Sequence, residues 1–285
     1  MKSRFLMCAP QHFEVAYVIN PWMEGNIARG SNPVAMQQWS ALLALLRRHA
    51  QVDCISAREG VPDLVFTANA GLVLENRVLL SNFRHAERRP EEAYFAQWFA
   101  EHGFEVLTLP PDVYFEGAGD ALFDRRLPLL WMGHGHRSDS AAAAMIASRF
   151  DVEVEPLRLV NPHFYHLDTC LCPLEGGALL YYPDAFDRAS QDRIAALVPP
   201  ALRIAVDAAD AADFACNAVN CGRHVIMNRA SDALAATLSA HGYELHQTGL
   251  SEFMKAGGSA KCLTLKLSEP RLSEVPLPVA ADALP

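Results

Sequence analysis

DLVFTANAGLVLENRVLLS, residues Asp63 to Ser81, reads as a strand, a turn and a second strand. A helix pattern follows from Pro90 to His102, with proline in the first turn and Gly103 at the stop, and then a strand at Phe104 to Leu109. The unit is strand, strand, helix, strand. It recurs from Asp120 as a hairpin to Gly133, a helix at Ser138 to Phe150 and a strand at Val152 to Leu157. A third copy starts at His166, with CLCPLEGGALLYY as hairpin, a helix at Phe186 to Leu197 and a strand at Leu202 to Val206. The fourth starts at Phe214, with CNAVNCGRHVIMN, a helix at Ser231 to His241 and a strand at Tyr243 to His246. The repeat length is about fifty residues, the period of stacked or radial architectures.

What is left at the two ends makes one more copy. The strand at Cys262 to Leu267 would pair with Arg4 to Cys8, followed by a helix at Pro33 to His49 and a strand at Val52 to Ile55. Both termini then complete a fifth unit and close a ring without an unpaired edge. An open α/β sheet is the competing reading, and the excess of hairpins over single strands favours the ring. Residues 1–267 are expected to form one catalytic α/β domain. The Pro- and Ala-rich stretch 268–285 is expected to be a disordered tail or a loosely held strap.

Composition narrows the function. No apolar run approaches the ~18 residues of a membrane span, and the run from Phe5 to Ala9 is too short for a secretory signal. We therefore expect a cytoplasmic protein. With 33 acidic against 24 basic residues the net charge is -9, which disfavours nucleic acid and anionic membranes as partners and favours a cationic small molecule. A homo-oligomer is compatible with this reading. Seven cysteines, an odd number, argue for free thiols.

The polar residues that open the units would converge if the first strands lie innermost. Cys262 follows the small-residue loop Ala256-Gly257-Gly258-Ser259-Ala260-Lys261, which leaves a sulfur reachable. It would be a nucleophile beside a positive charge, which an arginine-like substrate brings itself; the plainer reading is a buried structural thiol. His166 begins a unit and has Asp168 two residues on, on one side of a strand. It would act as acid and base, or else be a core histidine. Glu116, in the bend FEGAGD, would orient the imidazole or merely cap a turn. Asp63 and Asp168 would face a guanidinium, although Asp63 after Pro62 also suits a turn.

No metal or organic cofactor is expected. Cys170 and Cys172, with His163 and His166 nearby, offer thiolate and imidazole, but C-x-C lacks the spacing of zinc knuckles. No glycine-rich phosphate loop appears.

Taken together, PDLVFTAN (62–69), EGAGD (116–120), GHRS (135–138), HLDT (166–169) and GGSAKC (257–262) resemble the guanidino-group-modifying enzymes, a family that includes dimethylarginine dimethylaminohydrolases, arginine deiminases and amidinotransferases. The resemblance implies a five-bladed, pseudo-symmetric α/β propeller of ββαβ units, a pentein. FLMC (5–8), INPWMEGN (19–26) and FACNAVN (214–220) are most similar to the arginine dihydrolases found as the amino-terminal module of a cyanobacterial enzyme. Since the chain ends before a second module, no ornithine cyclodeaminase step is expected. The resemblance implies Cys262 as nucleophile, His166 as general acid and base with Glu116 as its partner, and Asp63 and Asp168 on the guanidinium with Asn69 beside them. It implies Arg88 and Arg137 on the substrate carboxylate, and Asn20 as a polar neighbour. Arg88 lies in a charged stretch and could equally be a solvated charge.

Asn69 departs from the family pattern, which has an acidic residue there in deiminases and dimethylaminohydrolases. An amide can donate to a urea oxygen, so bound citrulline could be cleaved again. The expected activity is arginine dihydrolysis to ornithine, two ammonia and carbon dioxide. The alternatives are a deiminase or dimethylargininase stopping at citrulline, and a non-enzymatic propeller that binds a partner.

Overall fold

Five sheets of three strands each carry the chain, which is described over residues 3–269 in a computed structural model. The strands and helices follow in the order β1 (Arg4–Cys8), α1 (Asn32–His49), β2 (Gln51–Ile55), β3 (Gly71–Leu74), β4 (Arg77–Leu80), α2 (Pro90–Glu101) and β5 (Glu105–Leu107). Next come β6 (Ala121–Phe123), β7 (Leu129–His134), α3 (Ala142–Phe150), β8 (Glu153–Arg158), β9 (Leu171–Pro173), β10 (Leu179–Tyr181), α4 (Arg188–Leu197) and β11 (Arg203–Ala205). The last stretch holds α5 (Ala208–Ala212), β12 (Val219–Cys221), β13 (His224–Met227), α6 (Asp232–Ala240), β14 (Glu244–Gln247), α7 (Ser251–Met254) and β15 (Leu265–Lys266).

Each sheet has one antiparallel and one parallel pairing. β3, β6, β9 and β12 form hairpins with β4, β7, β10 and β13, and the strand after the following helix pairs parallel with the second hairpin strand. A hairpin needs only a tight turn, whereas a parallel neighbour needs a crossover, and the helix supplies it. The fifth sheet joins the ends of the chain. β1 lies between β15, antiparallel with Phe5 opposite Lys266, and β2, parallel with Phe5 opposite Val52.

The sheets share one interior. A cavity is lined by Leu72, Ala121, Leu171, Val219 and Leu265, one residue from the first hairpin strand of each of four units and one from β15. Leu6, Leu42, Leu46, Phe95, Phe99, Trp131 and Ile146 are fully buried between sheets and helices. No helix among the described residues is long and apolar enough to cross a membrane.

Several boundaries differ from the sequence reading. Residues 62–70 are not a strand but two short 3-10 turns, Pro62–Val65 and Thr67–Ala70. The hairpin proper starts at Gly71, where the chain passes so close to Leu79 that a Cβ would lie 2.6 Å from its carbonyl oxygen. The same happens in the other units: Gly117–Gly119 and Leu167–Thr169 are 3-10 turns before β6 and β9. Asp168 therefore follows His166 through a turn and not through strand alternation, and its carboxylate faces Cys262 Sγ at 3.5 Å. Helix α3 begins four residues later than its alanine-rich sequence suggested. Ser268 and Glu269 still belong to the packed body: the Arg4 backbone N–H donates to Ser268 Oγ at 2.9 Å, and Arg125 grips Glu269 with two bonds of 2.5 and 2.9 Å. The remainder of the expected tail, 270–285, lies outside the described residues.

Candidate active site

The turns that precede the hairpins meet around a small cavity lined by Asn20, Asp63, Asn69, Arg88, Arg137 and Cys262 among others. These turns bury polar side chains because their backbone is satisfied locally, which leaves the side chains to pair with one another. His166 and Glu116 form the tightest pair, with Nε2 2.7 Å from Oε2, and neither is solvent-exposed. Glu116 also accepts from Arg137 Nη1 at 3.0 Å, and the Arg137 guanidinium lies over the Tyr165 ring. Burial would raise the Glu116 carboxyl, but Arg137 and the bond with His166 hold it well below the usual carboxylate range. Burial, partly offset by Glu116, pushes His166 down to about 4. At neutral pH the pair is thus a neutral imidazole donating from Nε2 to a carboxylate.

Cys262 Sγ lies 3.5 Å from Asp168 Oδ2 and receives a bond from Asn217 Nδ2 at 3.1 Å. Burial first, and then the Asp168 carboxylate, push its thiol up, so it rests protonated. Asp168 is itself raised to about 7 by burial, against the opposing pull of Lys261 and the bonds from Cys262 and Asn217. A cation arriving here would stabilise both anions at once.

On the other wall Tyr17 donates to Asp63 Oδ2 at 2.9 Å. Burial raises the Asp63 carboxyl, opposed by Arg88 and the Tyr17 bond. Asn69 accepts from Arg88 Nη1 at 2.8 Å and donates from Nδ2 to the Glu116 carbonyl at 3.2 Å, which links the His166–Glu116 pair to the Asp63 side. Gly119 makes this possible, since a Cβ there would lie 2.1 Å from Asn69 Nδ2. Asn20 caps the turn at Pro21–Met23 and donates to Ala256 O at 3.0 Å.

All nine residues expected at the site are buried together. Arg88 is 3% exposed and is not a solvated charge: it makes two 2.8 Å bonds to Glu91 and a weaker one, 3.3 Å, to Asp63 O. Arg137 donates from Nη2 to Ile19 O at 3.0 Å. Cys170 and Cys172 are buried and directed at backbone carbonyls, Leu167 O and Ala218 O, each at 3.4 Å.

The sequence reading gave no role to four neighbours of the site, although it counted Asn217 among the unit-opening residues expected to converge. Asn217 Oδ1 accepts the backbone N–H groups of Ser259, Lys261 and Cys262 at 3.0 to 3.1 Å and so shapes the loop that carries the sulfur. Its position at the opening of the fourth unit was the available signal. Glu91 stands in the first turn of α2, three residues after Arg88, and was legible as a near neighbour of opposite charge. Tyr17 and Tyr165 gave no signal, as each acts across more than forty residues, on Asp63 and on Gly257 O.

A buried thiol, a carboxylate-held imidazole and two further carboxylates around a small cavity, on five repeats of one strand and helix unit, define the class of guanidino-group-modifying enzymes. The family model for eukaryotic N,N dimethylarginine dimethylhydrolase matches residues 25–269. The chain is 40% identical over 265 residues to the N(G),N(G)-dimethylarginine dimethylaminohydrolase of Mycobacterium tuberculosis, covering 93% of this chain and 85% of that protein. It belongs to the dimethylarginine dimethylaminohydrolase family.

Higher identity is found elsewhere in the same superfamily. The bifunctional arginine dihydrolase/ornithine cyclodeaminase AgrE of Nostoc sp. is 54% identical over 274 residues, 96% of this chain and 39% of that protein. The chain thus spans about two fifths of that curated relative, and the same holds for ArgZ of Synechocystis sp. at 52% identity and 40% of its length. The crystal structure of the N-terminal domain of ArgZ from cyanobacteria, bound to product, superposes with a TM-score of 0.94 at 53% identity, over 95% of this chain and 99% of that one.

Proposed function

We propose that this chain hydrolyses the guanidino group of arginine through a covalent intermediate on Cys262 and carries the product on to ornithine. The five sheets, sharing one central cavity, would stand as the blades of a propeller about the axis on which this site opens. Asp63 and Asp168 hold the guanidinium, whose planar fork suits two carboxylates. Its charge lowers the Cys262 thiol, and the sulfur attacks the guanidino carbon. With Nε2 engaged by Glu116, His166 Nδ1 takes the proton that the Cys262 thiol gives up, passes it to the departing ammonia, then takes one from the attacking water and returns it to the sulfur. Collapse breaks the C–S bond and leaves citrulline. Arg88 and Arg137, with Asn20 nearby, hold the substrate carboxylate.

The observation that carries the dihydrolase reading is Asn69. Its amide lines the cavity with Cys262, where a carboxylate would repel a developing oxyanion. The bound ureido carbon can then react with a second water, releasing ornithine, the second ammonia and carbon dioxide. The relatives support this: AgrE and ArgZ are both described as arginine dihydrolases. The dimethylaminohydrolase relative supports the rival reading, in which turnover stops at citrulline.

The test measures ammonia per arginine, with ornithine and citrulline separated. The expected result is two ammonia and ornithine for the natural sequence. Asn69→Asp should slow the second cleavage by roughly a hundredfold or more and release citrulline. Citrulline from the natural sequence would favour the rival. Full turnover in a folded Cys262→Ala variant would end the covalent reading.

A further inference from the structure

Away from this site, three histidines meet where α1 ends against the fourth sheet. His224 opens β13 and stands in register with Glu244 on β14, and His246 follows Glu244 by two, so these side chains share one face. His49, the last residue of α1, lies over them with its ring 3.8 Å from that of His224. One nitrogen from each of the three histidines lies within 4.8 Å of the others. His224 Nδ1 and His246 Nε2 are 3.1 Å apart, and the Glu244 carboxylate reaches both at 3.4 and 3.5 Å. His49 Nε2 is buried without a hydrogen-bond partner among the described residues.

We propose that His49, His224 and His246, with Glu244 as a fourth ligand, form a binding site for a divalent transition metal of the zinc type that clamps the end of α1 to the β13–β14 edge. Imidazole nitrogens suit zinc, cobalt and nickel, whereas calcium and magnesium take oxygen. Tetrahedral zinc with bonds of 2.0 to 2.1 Å separates its nitrogens by ~3.3 Å, close to the spacing of His224 and His246. His49 completes the set by turning off its stacking contact, which gives its buried nitrogen a partner. The cation would also sit at the carbonyl end of α1, where positive charge is favoured. A plain reading of the cluster as stacked rings sharing one hydrogen bond leaves His49 Nε2 unexplained.

No spacing signal announced this site, because His49 lies on a different unit from the other two. It is independent of the catalytic reading, so its test does not use activity. The full chain carrying Cys262→Ala, which removes the reactive thiol, is stripped with chelator and titrated with zinc or cobalt chloride. One equivalent should bind, the unfolding midpoint should rise, and bound cobalt should lack a sulfur charge-transfer band. His246→Ala and His49→Gln should each weaken binding by about tenfold or more; the second, at a helix end, guards against a variant that fails to fold. Unchanged affinity in both folded variants, a thiolate band, or no binding at one equivalent would overturn the proposal.

Discussion

Asp168 sets how the site responds to pH. Burial holds its carboxyl near about 7, and the guanidinium it is proposed to bind pairs with the ionised form. The carboxyl carries a proton below that value, so arginine must displace it in order to bind. Affinity should therefore fall about tenfold per pH unit below about 7 and level off above it. Calorimetric titration of arginine into Cys262→Ala across this range checks the slope, and Asp168→Asn should bind weakly with no slope at all. A flat profile in the parent would remove Asp168 from the guanidinium. The same shift costs stability: the folded state keeps a proton that the unfolded chain releases above about 4, so Asp168 destabilises the fold increasingly as pH rises from there to about 7. Asp168 could be picked out in the sequence, but its titration could not, because its burial, and the opposing bonds from Asn217 and Cys262, come from packing between distant stretches of the chain.

The loop from Ala256 to Cys262 is held by side chains from elsewhere in the chain, Asn20, Tyr165 and, with the most bonds, Asn217. Asn217 accepts three of the loop's backbone N–H groups and donates to Asp168 O at 2.9 Å. Gly257, at φ +83, lets the loop turn against Asn20 and Tyr165, where a Cβ would lie 2.9 Å from either polar atom. Replacing Asn217 with Ala leaves several buried donors unpaired, at about 1–3 kcal/mol each before relaxation. We expect Asn217→Ala to lower the thermal midpoint and to reduce kcat by roughly a hundredfold, since a small displacement of the sulfur spoils the attack. Unaltered kcat in a folded variant would show that the loop keeps its form unaided. Glycine content made the loop visible in the sequence, and the strand expected at Cys262 proved to start three residues later, at Leu265. That boundary is set by the Asn217 bonds, which pull residues 259–262 into a turn before pairing with β1 begins.

The two ends of the described chain are joined through β1, held between β2 and β15. Leu6 at its centre is fully buried and stands opposite Leu265 on one side and Asp53 on the other. Leu6→Ala should cost about 2–5 kcal/mol, as a cavity opens where two ends of the chain meet. Urea unfolding followed by fluorescence checks this, and a loss under about 1 kcal/mol would mean that the fifth sheet adds little to the whole. The repeat of hairpin, helix and strand, and the joining of both ends in one sheet, were legible in the sequence because strand and helix periodicities depend on neighbours a few residues apart. So was the identity of the chemical groups, since Cys262, His166 and Glu116 stand in short, distinctive stretches. Only the tertiary structure decided that 62–70, 117–119 and 167–169 are turns, that Arg88 is buried against Glu91, that Asn217 holds the sulfur loop, and that His49 meets His224 and His246. Those outcomes depend on contacts between packed units and on burial, which no local pattern of residues encodes.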